Sequence, residues 1–204
     1  MRPAPDHEPP TRLLVLRHGR SEWNAAGRWQ GHADIALDRT GELQAAEAAE
    51  VLGTFDAVWS SDLRRAHRTA QIIAELLGIG PVRTDPGLRE KQVGPWEGLT
   101  NDEVEQGWPG FLQSRRRPDG FEDDDDAARR VLAAIATIAA EHPGGELLAV
   151  SHGGVIRSAR RFLGEPAPFL PNLSGSWFTV RGAAVTAGEV VHLLTPAAGD
   201  GEVL

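Results

Sequence analysis

An α/β fold is expected for this chain: a mostly parallel central sheet with helices on both faces, one antiparallel C-terminal hairpin at an edge, and a helical lid insertion. Three features of the sequence carry that expectation. Short apolar runs without polar alternation, the mark of strands buried on both faces, take turns with segments whose apolar residues recur at helical spacing. Parallel neighbours require such crossover helices. The alternation lapses near the C-terminus, where two strand-like runs follow one another through a glycine-bounded link, and between residues 101 and 126, where neither period holds.

Taken in order, Met1 to Pro10 contains Pro3, Pro5, Pro9 and Pro10 and no apolar run, so it reads as a disordered arm and not as the hydrophobic region of a signal peptide. Residues 11–196 are expected to form one domain and 197–204 a tail. Arg12-Leu13-Leu14-Val15-Leu16, ending in His18-Gly19, is the first strand. Thr40 offers an N-cap to a helix with Leu43, Ala46, Ala49 and Leu52 on one side and Glu42, Glu47 and Glu50 opposite. Ala57 to Ser60 is the next strand. Ala66, Ala70, Ile73 and Leu77 then mark one helix face that Gly78 closes. Val131, Ile135 and Ile138 form a third helical stripe, His142-Pro143-Gly144-Gly145 breaks it, and Glu146 to Val150 is a buried strand. Trp177 to Arg181 and Glu189 to Leu194, joined through 182–188, make the hairpin. Residues 101–126, with Trp108, Pro109, Phe111, Arg115 to Arg117, Pro118 and Gly120, form the lid, since long inserts in compact domains tend to be functional.

At 204 residues the chain has room for a full core. A net charge of -8 argues against a nucleic-acid partner, which needs concentrated positive charge. The absence of cysteine excludes disulfides and thiolate metal sites and suits a cytoplasmic location. The longest small-apolar stretch, Val131 to Ala140, is interrupted by Thr137 and falls far short of the roughly 18 residues a membrane span needs.

Ligands of open parallel sheets collect beyond the carboxyl ends of the strands. Three such ends carry polar groups here: Arg17-His18-Gly19, Ser60 to Arg65, and Ser151-His152-Gly153-Gly154. A neutral imidazole attacks phosphorus, and neighbouring arginines disfavour its protonation while forking around the oxygens of a phosphoryl group. His18 beside Arg17 fits that role. Gly153 and Gly154 open a helix whose free N–H groups favour an anion. Transfer to a histidine also needs an acid for the departing alcohol and then a base for water, and Glu90, in Leu88-Arg89-Glu90, is the first candidate, with Glu97 behind it.

With these residues in place, the chain resembles the histidine phosphatase superfamily, also called the phosphoglycerate mutase-like family. The resemblance lies in LVLRHGRSEWN at 14–24, WQGHADIAL at 29–37, SSDLRRAHRTA at 60–70, LREKQVGPWEGLT at 88–100 and VSHGGVIR at 150–157. It implies His18 as the phosphorylated nucleophile, Arg17, Arg65 and His152 around the phosphate, Glu90 as proton donor, and Asn24 as a further phosphate contact. Arg65 and not Arg64 matches the family arginine, which leaves Arg64 for the surface. Ser21, Gln30 and Gly31 match the loop bordering the substrate pocket. The resemblance favours the phosphatase branch, acting without cofactor or metal on a small-molecule phosphomonoester. A mutase returning the phosphoryl group to its substrate, and a non-catalytic phospholigand binder, are the alternatives. Arg20 departs from the commoner acidic, Gln or Thr residue, and an added cation there would favour a multiply charged substrate. Phe121-Glu122-Asp123 stands where many relatives have Gly-Glu-Ser, so Glu122 takes no catalytic role.

The run Glu122 to Asp126 is read as a helix start that complements the helix dipole, not as a metal site. Arg115 to Arg117 are either a solvated basic face or a receptor for a second anionic group. Trp29, Trp108, Phe111 and Phe121 are expected to wall the substrate site. His7, His32, His67, His142 and His192 have no metal-ligand spacing and take no chemistry. An exposed hairpin edge is a place where a homodimer could form.

Overall fold

The computed structural model describes residues 9–195. The arm expected over residues 1–10 therefore lies outside the described residues apart from Pro9 and Pro10, and so do the tail expected over 197–204 and His7. The order of elements is β1 (Thr11–Arg17), α1 (Glu22–Ala25), α2 (Arg39–Val51), β2 (Ala57–Ser60), α3 (Arg64–Leu77), β3 (Arg83–Thr84), α4 (Asn101–Gly107), α5 (Phe111–Ser114), α6 (Asp124–Glu141), β4 (Glu146–Ser151), α7 (Gly153–Phe162), β5 (Ser174–Arg181) and β6 (Ala184–His192). Short 3₁₀ turns at Pro86–Leu88 and Gly94–Trp96 bracket Glu90.

Six strands form one sheet in the order β3-β2-β4-β1-β5-β6. The first four in that order are parallel, β5 runs antiparallel to β1, and β6 antiparallel to β5. In the centre, Leu16 lies opposite Val150 and Arg17 opposite Ser151, so β1 and β4 end side by side and deliver His18 and His152 to the same place. Strand alternation divides the core. Leu13 and Val15 pack toward α6 and α7 with Val131, Ile135, Ile138 and Ile156, whereas Leu14 and Leu16 pack toward α2 and α3 with Ala45, Ala66, Ala70 and Ile73. Helices thus cover both faces.

The structure corrects the reading of α2 in two respects. Its N-cap is Asp38, whose carboxylate accepts from the Gly41 N–H at 2.8 Å, while the hydroxyl of Thr40 accepts from Arg20. Its buried face holds Gly41, Ala45, Ala48 and Ala49, and Leu43 is 55% exposed. Close approach explains the choice of small residues: a Cβ at Gly41 would lie 2.0 Å from the Arg20 carbonyl oxygen. The hairpin also differs, since β5 begins at Ser174 and β6 at Ala184, leaving a tight link at Gly182 and Ala183 where residues 182–188 were expected to be loop. Gly182 adopts φ +59°, a left-handed conformation that favours glycine.

The expected lid resolves into two short helices, an irregular stretch and the first turn of α6. It covers a separate apolar cluster of Trp29, Val93, Trp96 and Val104, with Trp108, Phe111 and Phe121 packed against it. Asp123 caps α6 by accepting from the Asp125 N–H at 2.8 Å, and Asp124, Asp125 and Asp126 occupy the first turn, where the helix dipole favours negative charge. Among the described residues, no helix is long and apolar enough to cross a membrane.

Candidate active site

The site forms where β1 and β4 run out into loops. A Cβ at Gly19 would lie 2.5 Å from the Gly41 carbonyl oxygen, so the Arg17-His18-Gly19 turn sits directly on α2. The Gly19 N–H donates to Thr69 Oγ1 at 3.1 Å, and Thr69 donates in turn to the Arg65 carbonyl at 2.7 Å, tying the turn to α3. On the other side, Asn172 Nδ2 donates to the His18 carbonyl at 2.8 Å and the Leu173 N–H to the Arg17 carbonyl at 3.1 Å. Leu173 holds φ +54°, a sparsely populated conformation for a branched side chain, beside the turn it braces.

His18 is buried, with Nδ1 2.7 Å from the Gly19 carbonyl oxygen. A carbonyl only accepts, so Nδ1 carries the proton and the neutral ring keeps its lone pair on Nε2. Burial first, then the positive charges of Arg65 and Arg17, hold the pKa of His18 well below that of a free imidazole. The His152 ring lies edge-on to His18, with centroids 5.0 Å apart, and burial and Arg65 lower its pKa in the same way. Neither nitrogen of His152 has a hydrogen-bond partner in its buried setting.

Arg17 donates through a terminal N–H to the Leu170 carbonyl at 2.7 Å. Arg65 is fully buried, and its terminal nitrogens donate to the carbonyls of Ala33 at 2.6 Å and Gly31 at 2.9 Å, while buried Nε has no partner. Burial pushes its pKa down to about 10, against the opposing charges of Glu90 and Asp34. Glu97 supports this arrangement from behind: one carboxylate oxygen accepts from the N–H groups of His32 at 3.0 Å and Ala33 at 2.9 Å, fixing the loop whose carbonyls hold Arg65.

Glu90 is 7% exposed, and its carboxylate accepts three backbone N–H groups: Lys91 at 2.8 Å, and Gly154 and Val155, both at 2.9 Å, in the first turn of α7. Glycine is required there. A Cβ at Gly154 would lie 2.5 Å from Glu90 Oε1, and one at Gly153 would lie 3.1 Å from Arg17 Cδ. The backbone of Glu90 is also anchored, because its carbonyl accepts from His32 Nε2 at 2.7 Å and from Arg130 at 3.2 Å. Arg130 further donates to the carbonyls of Gly87 and Arg89 and pairs with Glu122 at 2.9 Å.

The pocket is lined by Arg17, His18, Gln30, Arg65 and Glu90 together with Gly153 and Gly154. Ser21, Asn24 and Gly31, expected on its wall, serve as supports. Ser21 donates to Gln30 Oε1 at 2.8 Å, holding a residue of the pocket wall, and Asn24 Oδ1 accepts from the Ser21 N–H at 3.1 Å in the capping box of α1. Gly31 contributes its carbonyl to Arg65. Arg64 is exposed, as expected. Arg20 is not the additional substrate cation that the sequence allowed, because Asp38 and Thr40 hold it at 2.7 and 2.8 Å. Trp29 and Phe121 line the adjoining cleft, whereas Trp108 packs against Trp96 beneath it. Asn172, Thr69, Arg130 and His32 support the site through contacts to distant segments that leave no signature in the local sequence.

His18, two arginines, Glu90 and the start of a helix line one small space, with His152 buried edge-on to His18 and off its wall, and residues 13–189 match the model of the histidine phosphatase superfamily, branch 1. The chain belongs to that superfamily. It is 37% identical over 191 residues to the glucosyl-3-phosphoglycerate phosphatase of Mycobacterium tuberculosis, covering 84% of this chain and 85% of the relative. It is 37% identical over 158 residues to the metal-independent phosphoserine phosphatase of Arabidopsis thaliana, covering 72% of this chain and 66% of the relative. The solved structure of a mycobacterial glucosyl-3-phosphoglycerate phosphatase complexed with VO3 superposes with a TM-score of 0.75 at 34% identity, over 87% of this chain and 96% of that one. This superfamily member is a phosphoric monoester hydrolase.

Proposed function

We propose that the chain hydrolyses a small-molecule phosphomonoester through a covalent phosphohistidine on His18. The observation that carries the reading is the Nδ1–H contact of His18 to the Gly19 carbonyl, which leaves the lone pair on Nε2 in a pocket lined by Arg17 and Arg65. Nε2 attacks phosphorus, the phosphorus–oxygen ester bond breaks, and the departing alcohol takes a proton from Glu90. Water then attacks the phosphohistidine and gives its proton to the Glu90 carboxylate, releasing phosphate and free His18. Arg17, Arg65, His152 and the Gly153 N–H stabilise the charge that gathers on the phosphoryl oxygens. The three amides on Glu90 fix the position of its carboxylate beside the start of α7. No step uses a metal or cofactor.

The test is rapid quenching of turnover on a labelled phosphomonoester. An acid-labile, base-stable label on His18, missing in His18→Ala together with hydrolysis, is expected. Wild-type turnover in His18→Ala would overturn the reading. For Glu90→Gln, label accumulation or a fall in kcat of about 10²–10⁴-fold is expected, the range general acid–base catalysis commands.

A further inference from the structure

We propose that His32 is a positioning residue for Glu90, setting the direction of its carboxylate through a single peptide group. The proposal rests on the phosphatase reading above, in which Glu90 gives a proton to the alcohol and takes one from water, and extends it to how that carboxyl group is aimed.

The His32 ring is committed to a backbone acceptor. Nε2 lies 2.7 Å from the Glu90 carbonyl oxygen, and because a carbonyl only accepts, Nε2 carries a proton in the neutral and the charged ring alike. Two carboxylates on which His32 acts electrostatically, Asp62 and Glu122, are taken by Arg89 and Arg130. The Glu90 carbonyl is in turn one end of a rigid unit. It shares a planar trans peptide with the Lys91 N–H, so the two point in opposite directions. That N–H donates to Glu90 Oε1 at 2.8 Å. Whatever holds the carbonyl therefore aims the donor that turns the carboxylate, whose oxygens then take the Gly154 and Val155 N–H groups. Arg130 also reaches the carbonyl, but at 3.2 Å and from a guanidinium shared among Gly87, Arg89 and Glu122. His32 makes the shorter, undivided bond.

The backbone around His32 is held from the phosphate side of the pocket. Arg65 donates to the carbonyls of Gly31 and Ala33, on either side of His32, at 2.9 and 2.6 Å. Glu97 accepts from the N–H groups of His32 and Ala33 at 3.0 and 2.9 Å. His32 is thus clamped through its backbone to the arginine that lines the phosphate pocket, and through its ring to the carboxyl group on the alcohol side. A displacement of about 1 Å in a catalytic group costs about a hundredfold in rate, so a link that keeps these two in register has a kinetic signature. That signature belongs to proton transfer by Glu90, and it differs from the uniform loss that a loosened pocket would bring.

The experiment compares kcat/KM of the full chain for glycerol 3-phosphate, whose departing alcohol needs a proton, and for p-nitrophenyl phosphate, whose phenolate leaves without one. This constant covers the steps up to alcohol release, so the contrast between the esters isolates the acid. His32→Ala should lose about tenfold more on the first ester than on the second, and His32→Gln, which keeps an N–H donor, should recover part of that difference. In a Glu90→Gln background the His32→Ala loss should largely vanish, since the two residues act as a unit. An equal loss on both esters, or an undiminished loss in Glu90→Gln, would overturn the proposal. Were His32→Ala unfolded by circular dichroism, His32→Gln against His32→Met, which differ in the donor and little in length, carries the same comparison. If the wild type hydrolyses neither ester, the phosphatase reading is what fails. In that case, or if only p-nitrophenyl phosphate reacts, amide hydrogen exchange decides the role of His32. The Lys91, Gly154 and Val155 N–H groups should then exchange about tenfold faster in His32→Ala, or in His32→Met, and unchanged rates would overturn the proposal.

Discussion

A single imidazole owes its reactivity to the groups that stop it from becoming protonated. His18 and His152 are both buried beside Arg65, and burial and that positive charge disfavour their charged forms. Stability should therefore depend on pH. The folded pKa values lie below the reference of 6.5, so below about pH 6.5 the unfolded chain takes up protons that the folded chain refuses. The contribution is fully present above 6.5 and is lost as pH falls toward the folded pKa, at about 1.4 kcal/mol per pH unit for each histidine. Urea denaturation between pH 7.5 and 5.5 should show this slope, and His152→Gln should flatten it. An unchanged slope would mean that His152 does not titrate with folding.

Secondary-structure elements are positioned here by glycines and alanines as much as by large apolar residues. The start of α7 accepts the Glu90 carboxylate because Gly154 has no Cβ, and Gly154→Ala would place a methyl 2.5 Å from Glu90 Oε1. That variant should fold, since Gly154 lies in an ordinary helical turn, yet lose about a hundredfold in kcat, the scale of loss that a displacement of about 1 Å brings in a catalytic group. Steady-state kinetics alongside circular dichroism separates the two effects. The α2 face makes a second test. Leu43→Ser, on the exposed side, should change unfolding free energy by less than about 0.5 kcal/mol. Ala48→Leu, against the sheet, should cost about 1–3 kcal/mol through overpacking, measured by chemical denaturation.

Across the molecule, the pocket links the sheet, α3, α7 and the segment around Glu90, so an anion that fills it should stabilise all of them together. Orthovanadate at about a hundred times its dissociation constant should add about 2.7 kcal/mol to unfolding free energy, read as a rise in Tm. Arg65→Gln should abolish the rise, because it removes the buried guanidinium whose Nε is left without a protein partner. Arg130 gives the same coupling a mechanical form: it joins α6 to the carbonyls of Gly87, Arg89 and Glu90, so Arg130→Ala should lower kcat more than it raises KM for a phosphomonoester. A change in KM alone would place Arg130 in substrate binding instead.

The alternation of parallel strands with helices, the antiparallel hairpin at the C-terminal end and the strand ends that His18 and His152 follow were legible from sequence, because unbroken apolar runs and the polar groups after them are local signals. The face of α2 was not, since its register depends on how closely Gly41 approaches the Arg20 backbone, a contact between segments. Nor were Asn172, Thr69, His32 and Arg130, whose hydrogen bonds reach across 154, 50, 58 and 40 to 43 positions. Asn24, Ser21 and Gly31 belonged to the right loop but turned out to brace the wall rather than form it. Chemistry was written in residue types that stand together in the chain; the precise job of each support was set by distant backbone groups, which meet only after the sheet has closed.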